Sequence, residues 1–236
     1  MQITIDVPEE VLHRLLDDVP IPDLVRVRYA MPTPAAIDDV AAVVAEQVAQ
    51  PSIANLIRPG ERIAIGVGSR GVARLPDIVA ALVREIRQRG AEPFVVPAMG
   101  SHGGATSAGQ IDVLRRLGVT EARVGAPIIS DMATEEVGRT DDGIPVRLDR
   151  NALGADGIIF VARVKPHTAF RGTYESGLAK MIAIGLGKQS GAAACHAAGF
   201  GDMARRVPAL AAVAIARAPL RFGLAVLENA HDEPYK

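Results

Sequence analysis

Four side chains have types and spacing that could do chemistry together: His102, His167, Lys180 and His196. An imidazole gives or takes a proton near neutral pH and is the commonest side-chain metal ligand. Lys180 sits in the apolar run Gly177 to Ile184. A lysine there either snorkels out of a helix face or is desolvated and reactive, and taken alone it favours snorkelling. His196, closing an alanine-rich helix, taken alone is a cap or a core histidine. The stretch Lys165 to His196 holds three of the four residues, and the glycines between Lys180 and His196 read as room for something flat.

Two glycine-rich loops precede that stretch. The first, Gly66-Val67-Gly68-Ser69-Arg70-Gly71, has the form G-x-G-x-x-G after a strand, the outline of a dinucleotide fingerprint. Two details weaken it. Leu75-Pro76 delays the helix that the last glycine should already have entered, and the next strand ends Val96-Pro97-Ala98 with no acid for a ribose hydroxyl. Binding of a phosphate or carboxylate by the loop amides, Ser69 and Arg70, with Gly68 and Gly71 shaping the turn, stands level with a plain tight turn carrying a solvated arginine. The second loop, Met99 to Thr106, sets His102 among glycines, which expose backbone and so suit close approach to a ligand. His102 is therefore a catalytic or ligand histidine. His167 follows Pro166, and the restricted backbone before a proline aims the segment outward at a strand end.

No HExxH, CxxC or clustered DxD pattern is present. Any metal would be carried largely by an organic cofactor. Cys195, beside His196, reads as a small buried thiol rather than a ligand.

The elements that must position these residues follow from periodicity. Gln2–Asp6 alternates as an edge strand, Pro8 opens a short helix to Leu16, and prolines 20, 22, 32 and 34 mark an extended crossing. Residues 35–49 have helical spacing, with Asp38 and Asp39 in the first turn. Buried strands are expected at 62–67, 93–97 and 156–164, short strands at 128–131, 136–139 and 145–148 around an Asp141-Asp142-Gly143 turn, and a last strand at 221–227. Helices are expected at 75–89, 107–117, 189–198 and 203–217. Alternating strands and helices imply an α/β fold, a three-layer Rossmann-like domain with a mostly parallel sheet. Right-handed crossovers would bring the loops holding Ser69-Arg70, Ser101-His102 and His167 to one sheet edge.

Composition narrows the function classes. A formal charge of -1 and 3% aromatic residues argue against nucleic-acid partners. The most apolar late run, 207–218, contains Pro208 and Arg217 and is too short to span a bilayer, so no membrane partner is expected. The single cysteine and the acidic N-terminus without a signal-peptide pattern fit a cytoplasmic protein.

The order Ser101-His102, Pro166-His167, Lys180, and His196 sixteen positions later resembles the nickel-pincer-nucleotide-dependent lactate racemase family over roughly Arg62 to His196. The resemblance implies a nickel-pincer nucleotide (pyridinium-3,5-bisthiocarboxylic acid mononucleotide nickel) tethered to Lys180 by a thioamide. His196 would be the protein ligand to nickel. His102 and His167 would be acid/base groups on opposite faces of a 2-hydroxy acid, and the Gly68-Ser69-Arg70-Gly71 loop would hold the nucleotide phosphate. The implied activity is racemase or epimerase chemistry, by hydride removal and return through a 2-keto acid, with cofactor-synthesis proteins as partners. The SRG loop departs from the type enzyme, which has an acid and a TRP-like turn there. Arg70, Arg74 and Arg171 are candidate carboxylate anchors. Residues 1–236 read as a single cofactor-binding domain, the N-terminal half of a two-domain family. A non-catalytic nucleotide- or anion-binding α/β domain is the alternative, and an NAD-linked enzyme a third reading.

Overall fold

The computed structural model describes residues 8–20, 22–197, 199 and 201–236. The expected strand at Gln2–Asp6 lies outside them. The chain divides into two compact units, 1–32 and 33–236. The described part of the first holds one helix, α1 (Glu9–Leu16), which follows Pro8 and carries Glu9 and Glu10 in its first turn. Those acids face the positive end of the helix dipole.

The second unit opens with α2 (Val40–Ala49) and the short α3 (Pro51–Ala54). The expected start of α2 at 35 moves to 40. Asp39 is the N-cap, its carboxylate accepting from the Ala41 and Ala42 amides at 3.0 Å, and the Ile37 amide is committed to the Pro234 carbonyl at 2.7 Å. Next come β1 (Arg62–Val67), α4 (Leu75–Gln88), β2 (Glu92–Pro97), α5 (Ser107–Arg116) and the one-turn α6 (Glu121–Val124). The expected strand at 128–131 shrinks to a single bridge, Ile128 to Val95. Past Ile129 the chain turns, the Asp131 carboxylate accepting from the Ala133 amide at 3.0 Å. The hairpin is as expected: β3 (Thr134–Arg139) and β4 (Pro145–Asp149) pair antiparallel. Then follow α7 (Arg150–Leu153), β5 (Gly157–Arg163), α8 (Leu178–Lys180), α9 (Lys188–His196), α10 (Met203–Arg217) and β6 (Leu220–Val226).

The main sheet is parallel, in the order β2-β1-β5-β6. Successive side chains of a strand face opposite ways, and the two faces bury different layers. Ile63, Ile65 and Val67 of β1 pack with Val40, Val44 and Val48 of α2 and with Val79, Leu82 and Ile86 of α4. Ala64 of β1 and Ile158 and Phe160 of β5 pack with Leu148 of the hairpin and with Met203, Val207 and Leu210 of α10. This is the expected three-layer α/β architecture. From β1 the chain moves outward to β2 on one side, and β5 takes the other. The crevice at such a reversal, beyond the carboxyl ends of the strands, is where α/β folds bind ligands.

Candidate active site

A cleft of about 410 Å³ opens at that edge, and four separated segments line it. The loop after β1 contributes Gly68, Ser69 and Arg70; the loop after β2 contributes Ser101 and His102; the loop after β5 contributes Lys165 and His167; the segment from α8 to α9 contributes Lys180, Met181 and His196. All four chemistry-bearing residues thus face one space. Of the loop glycines, Gly68 lines it and Gly71 does not. Arg70 is the one arginine of the three candidate anchors that reaches it. Arg74 is turned to Asp77, 2.6 Å away, and Arg171 to the carbonyls of His167 and Phe170.

The first loop is no dinucleotide fingerprint. Helix α4 begins only at Leu75 with Pro76 in its first turn, so no helix N-terminus stands behind Gly71. Gly66 answers to packing instead, since a Cβ there would meet Phe160 Cδ1 at 2.8 Å.

His102 is held by Ser69, whose Oγ makes a short hydrogen bond to Nδ1. A hydroxyl can donate or accept, so it suits either tautomer, and Nε2 stays available to the cleft. Burial, then the charges of Arg70 and Lys180, hold His102 below its ordinary imidazole pKa. The glycines beside it serve the backbone. Gly103 has φ +68°, and a Cβ there would lie 2.6 Å from the Gly109 carbonyl carbon.

His167 is fixed on several sides. Its backbone N–H donates to Glu175 Oε2 at 2.8 Å, and its ring lies against Phe170, centroids 4.3 Å apart. The Ala169 amide donates to Nδ1 at 3.1 Å, and Nε2 lies 2.7 Å from Lys180 Nζ. With Nδ1 accepting, a neutral ring carries its proton on Nε2. Nε2–H then faces Nζ, a contact that favours Lys180 in its uncharged amine form. Burial, followed by the charges of Arg70 and Lys165, shifts Lys180 below the ordinary lysine value in the same sense. His167 is likewise lowered, by burial first and Lys180 second. So is His196, by the same two causes. Lys180 is therefore a half-buried cleft lysine, and the snorkelling reading gives way.

The chain just after Lys180 is not α-helical. Met181–Gly185 forms one π-turn, closed by the Leu186 amide on the Met181 carbonyl at 2.9 Å. Such turns recur at functional sites, and no residue type in the sequence signals this one. Its Gly185 carbonyl accepts from the Gly100 amide at 3.0 Å, tying it to the His102 loop. The glycines here are occupied by protein rather than left as room for a ring. A Cβ on Gly185 would meet the Ala98 carbonyl oxygen at 2.6 Å, and one on Gly187 would meet Gly191 Cα at 2.9 Å. Cys195 is the buried thiol expected, 3.8 Å from Met203 Sδ.

The family model for the lactate racemase N-terminal domain matches residues 9–207. The chain belongs to the lactate racemase N-terminal domain family. Its fold is similar to that of the lactate racemase apoprotein from Thermoanaerobacterium thermosaccharolyticum, with a TM-score of 0.61 at 14% identity over 84% of this chain. The chain spans about half of that structure, 51%. No curated protein matches it. Among the described residues no helix is long and apolar enough to cross a membrane, and no three His, Cys, Asp or Glu side chains cluster as a metal site.

Proposed function

We propose that this chain is the cofactor-carrying domain of a nickel-pincer-nucleotide-dependent racemase or epimerase of a 2-hydroxy acid. The observation that supports it most is the convergence of His102, His167, Lys180 and His196 on one cleft from segments far apart in sequence.

The residues fit such a group. The cleft has the volume of a small-cofactor site. Arg70 and Lys165 set positive charge along it, suiting a phosphate and thiocarboxylates. Lys180 is poised as an amine nucleophile, and a desolvated lysine beside other cations is the usual form of an activated one. His196 offers a metal one nitrogen, which suits a metal that arrives with donors of its own. Ser69, Arg70 and Gly68 would hold the nucleotide end, and Gly71, outside the cleft lining, would only shape the turn.

When bound, the group supplies an electrophilic centre that accepts hydride from the substrate carbon. The chain's own residues do the rest. His102 and His167 move the hydroxyl proton, one for each hand of the substrate. Lowered imidazole pKa values favour the neutral ring at both positions near pH 7. Arg70 anchors the substrate carboxylate or the cofactor phosphate.

Intact mass and nickel analysis of the chain produced together with active cofactor-synthesis proteins tests this reading. The expected result is a covalent adduct with matching nickel, both lost in Lys180→Ala. An unmodified mass without nickel would overturn it. Phosphate affinity unchanged by Lys180→Ala, with no adduct in the parent, would favour a non-catalytic anion-binding domain.

A further inference from the structure

Behind the cleft lies a charged cluster that the chemistry above does not use. Lys188, Asp149 and Gln110 are each 0% exposed. The Lys188 ammonium donates to the Pro97 carbonyl at 2.6 Å and to Gln110 Oε1 at 3.1 Å. Its third neighbour is Asp149 Oδ2 at 2.9 Å, an ion pair without hydrogen-bond alignment. The ammonium therefore donates to the end of β2 and to α5, with the Asp149 carboxylate at the end of β4 as its counter-charge.

Gln110 passes this order on to the site. Its Nε2 donates to the Gly100 carbonyl at 2.9 Å and, more weakly, to the His102 carbonyl at 3.3 Å. A flipped amide would set its NH₂ against the ammonium, so Lys188 decides which way Gln110 points. Asp149 is held in turn, its amide donating to the Leu186 carbonyl at 2.8 Å and its Oδ1 accepting from the Ala152 amide at 3.0 Å. Lys188 also heads α9, whose last residue is His196. It sits at φ +51°, a region L residues seldom adopt. An apolar side chain of similar size commonly serves stability as well as a buried ion pair does. What the lysine adds is direction.

We propose that Lys188 is a positioning residue: through Gln110 it sets the carbonyls of Gly100 and His102 and hence the place of the His102 ring. From the head of α9 it anchors the helix that ends in His196 to the same core. Its value to catalysis rests on the reading of His102 as a proton-transfer group, but the coupling itself does not.

The test reads the His102 ring directly, by NMR titration of the histidine-labelled 236-residue chain without cofactor. Two altered forms are compared with the parent: Gln110→Met, and Lys188→Met combined with Asp149→Asn so that no lone charge stays buried. Leu82→Ala, on the far face of the sheet, is the control for general destabilisation. The expected result is that both altered forms move the His102 titration up toward that of a free imidazole, while Leu82→Ala leaves it in place despite a lower melting temperature. An unmoved His102 titration in folded Gln110→Met would overturn the proposal, as would an equal movement in Leu82→Ala. If the double variant fails to fold, Gln110→Met decides alone. A shifted ring in a chain that never takes up cofactor would separate the two readings.

Discussion

The 2.7 Å contact between Lys180 and His167 carries the sharpest residue-level consequence. A lysine held as an amine reacts with acyl electrophiles, whereas a solvated ammonium does not. A limiting acylating reagent at pH 8 should label Lys180 on the order of ten times faster than exposed Lys165 or Lys236, corresponding to about 1.4 kcal/mol. Peptide mapping by mass spectrometry would check this, and equal labelling of the three would contradict the amine state. Arg70 adds a second test. Its charge lowers His102, so Arg70→Gln should raise the His102 titration, read by NMR. That His102, His167, Lys180 and His196 share one cleft was legible only through their order along the chain, since taken alone Lys180 reads as a snorkelling lysine and His196 as a cap or core histidine. The place of Lys188 was not legible. A lysine beside Gly187 in an apolar run reads as a surface cation, and only the meeting of β2, α5 and β4 around it shows otherwise.

At the scale of elements, strands were legible and the turn after Lys180 was not. β1 and β5 are short apolar runs bounded by turn residues, a pattern that survives folding because both faces of the sheet are covered. The hairpin followed from its Asp-Gly turn. By contrast α3, α6 and α7 are single turns, too short to show a period. Met181–Gly185 differs from an α-helix by one residue per turn, set by what it packs against rather than by its sequence. Ala98 is that neighbour. Gly185→Ala should force the π-turn away from the Ala98 carbonyl, costing about 1–3 kcal/mol as an overpacking change. Thermal unfolding would show the loss, and covalent loading of Lys180 should fall with it. A variant of unchanged stability would mean that the turn yields freely.

For the whole molecule, the three cleft histidines couple stability to pH. In the folded chain His102, His167 and His196 are each lowered from the ordinary 6.5, with burial the first cause. As pH falls, the unfolded chain takes up these protons before the folded chain does. Stability is therefore complete above about pH 6.5 and declines from there down to the folded pKa values. Asp77 and Asp131, lowered by arginine and backbone hydrogen bonds, add a separate loss below about pH 4. Melting temperature should drop between pH 7.5 and 5.0, and the combined His102→Gln, His167→Gln and His196→Gln form should flatten that slope. An unchanged slope would show that the rings titrate alike folded and unfolded. The Lys180–His167 pair also sets an order of events in the life of the protein. Once an acyl group sits on Nζ, its nitrogen lone pair is delocalised and no longer basic, so His167 must find another partner. Until then the ring is engaged by its own neighbour. Maturation and release of the His167 ring to the cleft would then be one event, and an immature chain would be silent by construction rather than by inhibition.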